Sequence, residues 1–539
     1  MYGSITLENR FGVNKMELIS LKYAIFVIVL LVLYYCFPKK YRWYVLLAGS
    51  MAYYVIICKW YVLFIIFTIC TTYGSTIWID KLLKKQNAIV KSHKEDWDRQ
   101  TRKEYKEKGR KKRVAVMLFA LLCNFGILAF LKYIPYAGEP GLLLPLGISF
   151  YTFQSMGYVM DVYREIVEPE KNFLKVALFV SFFPQIIQGP IAIYDKLAGQ
   201  LYEGHSLRLE NLQKGALLVL WGVMKKLVIA DRAVNIINFV MDKPMDFSGT
   251  YVFFAAVVYA LQLYADFSGG IDIVRGIAEM FGITMSTNFN HPYFSRSLTE
   301  YWHRWHMTLG DWCRNYIFYP LSISKRFLNF GKWLKPRFGA HISKVLPGCI
   351  ASVITFIVIG VWHGANMKYL YFGLWNGIVI MLAELFAPVN KKVAGGFFKL
   401  TGLREKGIFA TIVSVLWTFM LILVGYYFDI AANASTAFHM LFKSVTDFHI
   451  SELGINNIIL NLGACGLDEY DILLLIICTL LWFFISFVEE NKKLDMRDFI
   501  LSRKLPLRWA IIYLGIFIVI IFGYYGPGVN PADFVYMQF

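Results

Sequence analysis

IFATIVSVLWTFMLILVGYYFDI, Ile408 to Ile430, is long enough and apolar enough to cross a bilayer core, which takes about 20 residues of α-helix. Runs of this kind recur from end to end. Candidate spans fall at 21–37, 43–57, 60–79, 114–131, 146–163, 214–230, 250–265, 345–361, 368–387, 408–430, 472–488 and 509–523. Of the 539 residues 57% are hydrophobic and 17% charged, and mean hydropathy is +0.50. A water-soluble chain needs polar faces that such runs lack, and a membrane β-barrel would show short alternating segments. The expected fold class is an all-α polytopic membrane protein of about 11–13 transmembrane helices.

The charge pattern orients these spans. A net charge of +18 comes from 55 Lys and Arg against 37 Asp and Glu, and the excess lies between apolar runs. Positive inner loops explain that distribution, so no nucleic-acid partner is expected. The loop 80–113 holds 14 Lys and Arg against five Asp and Glu from Lys81 onward and ends in RKKR, which makes it cytoplasmic. Counting outward places both termini outside, the basic segments 388–407 and 489–508 inside, and the acidic segment 431–471 outside. Residues 1–20 show no cleavage-site pattern, so 21–37 is read as an uncleaved first span, with Met1 or Met16 as the start.

The counting works only if Phe173–Ile193 does not cross. Its FPQIIQGP segment sets Pro184, Gly189 and Pro190 where a regular helix would need hydrogen bonds. A re-entrant element facing a cavity is expected there, with a kinked core helix as the other reading. The eight cysteines, Cys36, Cys58, Cys70, Cys123, Cys313, Cys349, Cys465 and Cys478, form no CxxC pair and read as small core residues.

Two tryptophan-rich segments concentrate the scarce histidines. YWHRWHMTLGDWCRNYIFYPL (Tyr301–Leu321) carries His303 and His306, and VWHGANMKYLYFGLWNG (Val361–Gly377) carries His363. Imidazole exchanges a proton near neutral pH without leaving a permanent buried charge, which suits it to activating a hydroxyl. The plainer reading is an interfacial belt. Residues 266–344 fall on the cytoplasmic side, where Tyr301, Trp302, Trp305, Trp312, Tyr316 and Tyr319 are expected to lie along the membrane surface. His306 then approaches from the cytoplasm and His363 follows a span running outward, which suggests a passage through the bilayer. His303 and His306 lack the carboxylate of a zincin pattern, and no metal is expected. His306 and Asp311 spell H-x4-D, but residues five apart on a helix diverge by about 140°.

The block NFNHPYFSRSLTEYWHRWHMTLGDWCRNYIFYPL followed by VWHGANMKYLYFGLWNG resembles the membrane-bound O-acyltransferase family, in particular its bacterial polysaccharide O-acetyltransferase branch. Supporting matches are PLGISFYTFQSMGYVMDVYR, FPQIIQGPI, GVMKKLVIAD, YALQLYADFSGGIDI and the terminal DFVYMQF. The resemblance implies one membrane-embedded domain, a ring of helices around a central channel, with N-terminal helices to 140, a core over 141–387 and C-terminal helices over 388–539. It also implies transfer of an acyl group, first of all acetyl, from a cytoplasmic thioester to hydroxyls of an extracytoplasmic polysaccharide or cell-wall glycan. The donor is acetyl-CoA or the phosphopantetheine of an acyl carrier protein, with no bound cofactor. An extracytoplasmic SGNH-hydrolase-like protein is an expected relay, and the bacterial plasma membrane the expected location.

In that reading His363 is the general base and His306 orients the thioester or its carbonyl. Trp302, Trp305, Trp362 and Arg304 line the path, with Asn288 and Asn366 as polar partners or as helix caps. Asp266 and Asp272 are expected to brace the core by hydrogen bonding, with a binding role as the lesser reading. Asn315 and the segment PLSISKR depart from the branch's pattern, which bears on donor or partner recognition at the cytoplasmic face. D-alanyl transfer to teichoic acid is the neighbouring alternative, and a transporter with 173–193 as its substrate site is the alternative from another class.

Overall fold

The computed structural model describes residues 18–133, 144–401, 407–454 and 463–526, together with Arg404, Asn457, Ile458 and Phe534. The candidate start residues, both expected outer termini and nearly all of DFVYMQF lie outside the described residues. Helix dominates, and all twelve candidate spans fall on helices. Among the described residues, seven helical stretches are long and apolar enough to cross a membrane, or eight if Met367–Leu385 and the bent continuation Ala387–Thr401 count as one. The chain is an all-α, multi-pass membrane protein. Its contacts divide into two compact units, Tyr2–Val219 with Ile273–Ser286, and Leu220–Asp272 with Thr287–Phe539.

The first unit begins with α1 (Leu21–Cys36), α2 (Arg42–Cys58), α3 (Val62–Ser92) and α4 (Arg99–Tyr133). The basic segment expected as a cytoplasmic loop is largely helical, continuing α3 to Ser92 and opening α4 at Arg99, with a turn between them. Lys, Arg, Glu and Gln are good helix formers, and pairs such as Lys84–Asp80 and Gln100–Glu104 one turn apart add to that preference. The two helices meet closely at Gly109, where a β-carbon would lie 2.0 Å from Gln86 Oε1.

Next come α5 (Ile148–Tyr163), α6 (Phe173–Ser181), α7 (Phe183–Gln188) and α8 (Tyr194–Tyr202). α5 is buried on nearly every side, so this candidate span sits inside protein. The break expected in 173–193 is present at Phe182, whose extended ψ of 112° separates α6 from α7. Protein side chains satisfy the freed backbone: Gln154 donates to the Phe179 carbonyl at 2.6 Å, and the Phe183 N–H donates to Ser50 Oγ at 3.1 Å.

After α9 (Leu209–Met224), the second unit contains a π-helical segment, Lys225–Ala230, and α10 (Asp231–Met241). α11 (Gly249–Met280) runs well past the expected end at 265, because the acids that follow are paired. Lys226 meets Asp266 at 2.6 Å and Asp231 at 2.8 Å, while Lys225 meets Asp272 at 2.6 Å and Ser268 at 2.9 Å. Adjacent lysines inside an apolar helix are tolerated only with such partners. Asp266 and Asp272 thus brace the core as expected.

The longer remaining helices are α12 (Leu298–Arg304), α13 (Met307–Cys313), α14 (Lys325–His363), α15 (Met367–Leu385), α16 (Ala387–Thr401), α17 (Ile408–Ile430), α18 (Ala434–Thr446), α19 (Glu469–Lys492) and α20 (Leu505–Phe522). α14 breaks at Gly339, with φ 81°, and its later half matches the span expected at 345–361. α14 and α15 cross backbone to backbone. A β-carbon on Gly360 would lie 2.3 Å from the Tyr369 carbonyl oxygen, and one on Gly373 2.3 Å from that of Phe356. This crossing fixes the end of α14, where His363 sits.

Candidate active site

His306 is the hinge between α12 and α13 and takes a left-handed backbone conformation, φ 43° and ψ 51°. For a residue with a β-carbon this costs about 1–2 kcal/mol and is held by its surroundings. Two backbone bonds hold it, Asn290 N–H to the Arg304 carbonyl at 2.9 Å and Met307 N–H to the Asn288 carbonyl at 2.9 Å. The Asn288 side chain completes the clamp. Its Oδ1 accepts from Thr308 N–H at 3.1 Å and from Thr308 Oγ at 2.8 Å, and it lies 3.2 Å from His306 Nδ1.

That cluster fixes the imidazole tautomer. A backbone N–H can only donate, so the Asn288 atom facing it is the carbonyl oxygen, and His306 Nδ1 must carry the proton. Burial pushes the imidazole down to about 3 from its ordinary 6.5, so the ring is neutral near pH 7, with its lone pair on Nε2. Phe267 packs edge-on against the ring at 4.9 Å.

His363 ends α14 and is flanked by Trp362 at 4.8 Å, Tyr369 at 5.9 Å and Phe372 at 5.6 Å between ring centres. His306 and His363 line one cavity of ≈ 30 Å³, room for about two water molecules. Tyr301, Trp302, Trp305, Asn376, Tyr426 and Asp429 contribute to the same wall.

The aromatic stripe expected along the membrane surface turns inward instead. Tyr301 and Trp305 are buried, with stacked rings 5.7 Å apart, and Trp312 is buried as well; among that group Tyr319 is exposed. The reason is that the tyrosine hydroxyls find partners inside. Tyr293 donates to the Ala260 carbonyl at 2.6 Å, so its contact with Tyr426 at 3.1 Å needs the Tyr426 proton. The 2.8 Å contact between Tyr426 and Tyr301 then needs the proton of Tyr301. All three protons point one way, from Tyr301 toward Ala260.

The other candidates divide. Trp302 and Trp305 line the cavity, and Trp302 Nε1 donates to Asn376 Oδ1 at 3.0 Å. Asn288 holds His306 and caps α13. Asn366 caps α15, accepting from Lys368 N–H at 3.1 Å, and Trp362 packs on His363; neither is among the described lining residues. Arg304 pairs with Glu300 at 2.7 Å and Glu490 at 3.0 Å instead of facing the cavity. His303 is exposed, and Asp311 pairs with Arg314, so neither joins His306 in a site.

Sequence reasoning missed Asn376, Tyr426 and Asp429. Tyr259 donates to Asp429 Oδ2 at 2.7 Å, and Lys368 Nζ donates to the carbonyls of Asp429 and Ala431, both at 2.8 Å, which caps the end of α17. The available signal was an acid inside the apolar run Ile408–Ile430, a costly placement that marks a site.

A cavity holding a neutral imidazole, a second imidazole and one carboxylate is equipped for proton transfer to and from a small polar group. The model of the membrane-bound O-acyltransferase family matches residues 169–335, which include His306 and stop short of His363. A protein described as "Probable alginate O-acetylase AlgI" from Pseudomonas syringae is 30% identical over 58% of this chain and 54% of its own length. The peptidoglycan O-acetyltransferase of Helicobacter pylori is 29% identical over 51% of this chain and 56% of its own. The teichoic acid D-alanyltransferase of Bacillus subtilis is 26% identical over 54% of this chain and 70% of its own. The chain thus spans little more than half the length of the first two curated relatives. Over residues 169–335 it is similar to the membrane-bound O-acyltransferase family.

Proposed function

We propose that the chain is an O-acyltransferase of the bacterial plasma membrane. It moves an acetyl group from a cytoplasmic thioester to a hydroxyl of an extracytoplasmic polysaccharide or cell-wall glycan, directly or through an SGNH-hydrolase-like relay. The observation that carries this reading is the shared cavity of His306 and His363 in a chain similar to this family. Acetyl is favoured because the alginate and peptidoglycan relatives are more similar to the chain than the D-alanyl one.

A thioester is already activated, so the residues need only deprotonate the alcohol and hold it against the carbonyl. His363 takes the hydroxyl proton as the oxygen attacks the carbonyl carbon. When the tetrahedral intermediate collapses, the C–S bond breaks and the thiolate recovers that proton. His306, neutral with its lone pair on Nε2, suits accepting an N–H from the amide arm of acetyl-CoA or of a carrier's phosphopantetheine. Such a bond orients the thioester, in keeping with the role expected of His306.

The test is His363→Ala in a host without its own glycan O-acetyltransferase, measuring ester-linked acetate and D-alanine released from the envelope by mild base. Loss of a general base lowers transfer by about 100-fold or more. Acetate release that depends on His363 supports the reading. D-alanine release in its place replaces the acyl group, and undiminished acetate release in the variant removes His363 from the chemistry.

A further inference from the structure

We infer that Asp429 is the positioning and charge-balancing carboxylate of this site, the counter-ion of the imidazolium that forms on His363. The inference rests on the acyl-transfer reading above. Among the described residues that line the cavity, Asp429 is the one acid, and it shares that cavity with both histidines. Its two ends are tied differently. The Tyr259 hydroxyl donates to Oδ2 at 2.7 Å, which fixes the carboxylate's rotation, while Lys368 holds the backbone carbonyls at the end of α17. Three helices therefore set one carboxylate: α17 carries it, α11 supplies Tyr259, and α15 supplies Lys368.

The chemistry explains the need. His363 begins neutral and becomes cationic as the alcohol loses its proton, in a cavity walled by Leu263, Trp302, Trp305, Phe372 and Ile422. Charge created in such a place is costly unless an opposite charge is already fixed there. His306 does not meet the need, because its Nδ1–H is committed to Asn288 and its ring is neutral. The tyrosines do not either, because the Tyr301 and Tyr426 protons point away along their row. Asp429 supplies that negative charge, and Lys368, whose Nζ binds the backbone carbonyls of Asp429 and Ala431, is the nearby cation.

The experiment measures acetyl transfer from labelled acetyl-CoA to envelope glycan in membrane vesicles carrying the full chain, across a pH series. The titratable groups bonded to Asp429 are Tyr259 and Lys368, and those that share its cavity are His363, His306, Tyr301 and Tyr426. A neutral base is required, so activity rises with pH through the titration of His363, and a nearby carboxylate moves that acidic limb upward. Asp429→Asn is expected to lower kcat about a hundredfold and to move the limb to lower pH, while Asp429→Glu keeps it near the native position. Lys368→Met, which removes the nearby cation, moves it to higher pH. Opposite shifts from the two charge deletions are not produced by a purely structural role. An unchanged limb in Asp429→Asn overturns the inference. If that variant does not insert, an unchanged limb in Lys368→Met overturns it. Vesicles of the unaltered chain that transfer no acetyl group refute the underlying reading instead.

Discussion

Replacing the amide of Asn288 by a carboxylate tests the hydrogen-bond assignment at His306. In Asn288→Asp the oxygen that meets His306 Nδ1 at 3.2 Å, Thr308 N–H at 3.1 Å and Thr308 Oγ at 2.8 Å becomes anionic. Three donors favour the ionised carboxylate, so it keeps its charge although the site is buried. Opposite unit charges about 4 Å apart at an effective dielectric near 20 attract by about 4 kcal/mol, or about three powers of ten in the ring's proton affinity. Burial holds the native imidazole at about 3, so the same ring in the variant titrates within ordinary buffers. The assay is nitrogen NMR of histidine-labelled protein in lipid nanodiscs, with His306→Gln to assign the signal. The native ring is expected to show one tautomer, protonated on Nδ1, unchanged down to about pH 5, and the variant ring to become doubly protonated on the way. A native ring protonated on Nε2, or a variant ring that ignores the new carboxylate, refutes the assignment.

Two further expectations concern stability. His306 is held below its unfolded value, so the folded state binds fewer protons than the unfolded state between these limits, and stability present above about pH 6.5 is lost as pH falls. From this residue alone the loss between about pH 7.5 and about pH 5 is about 2 kcal/mol, read as a lower thermal midpoint in detergent and diminished in Asn288→Asp. Gly373→Ala would force a β-carbon to within 2.3 Å of the Phe356 carbonyl oxygen and part α14 from α15, at a cost of about 1–3 kcal/mol. Gly126→Ala, with nothing within 4 Å, is the control expected to leave the midpoint unchanged or raised.

The sequence carried the helices and both histidines because each is a local signal. A run of apolar residues has one solution in a bilayer, and scarce histidines in Trp-rich segments stand out at once. The partners were less legible, since neighbours in sequence diverge on a helix. Trp362 and Asn366 flank His363 in sequence, yet one packs against the ring and the other caps the next helix. Asn376, Tyr426 and Asp429 lie 13, 63 and 66 positions beyond His363 and share its cavity through tertiary packing alone. The interfacial reading of Tyr301 and Trp305 failed for a related reason. Amphipathic aromatics suit a headgroup layer as well as a polar core, and the hydroxyl of Tyr426, more than a hundred positions away, decides between the two.

The tyrosine row has a consequence for where protons travel. It terminates on the Ala260 carbonyl, a group with no hydrogen to hand back, so the line of hydroxyls cannot reverse and cannot conduct. That flank of the cavity works as an insulator. A proton taken up in the cavity is therefore not carried away along this row toward Ala260.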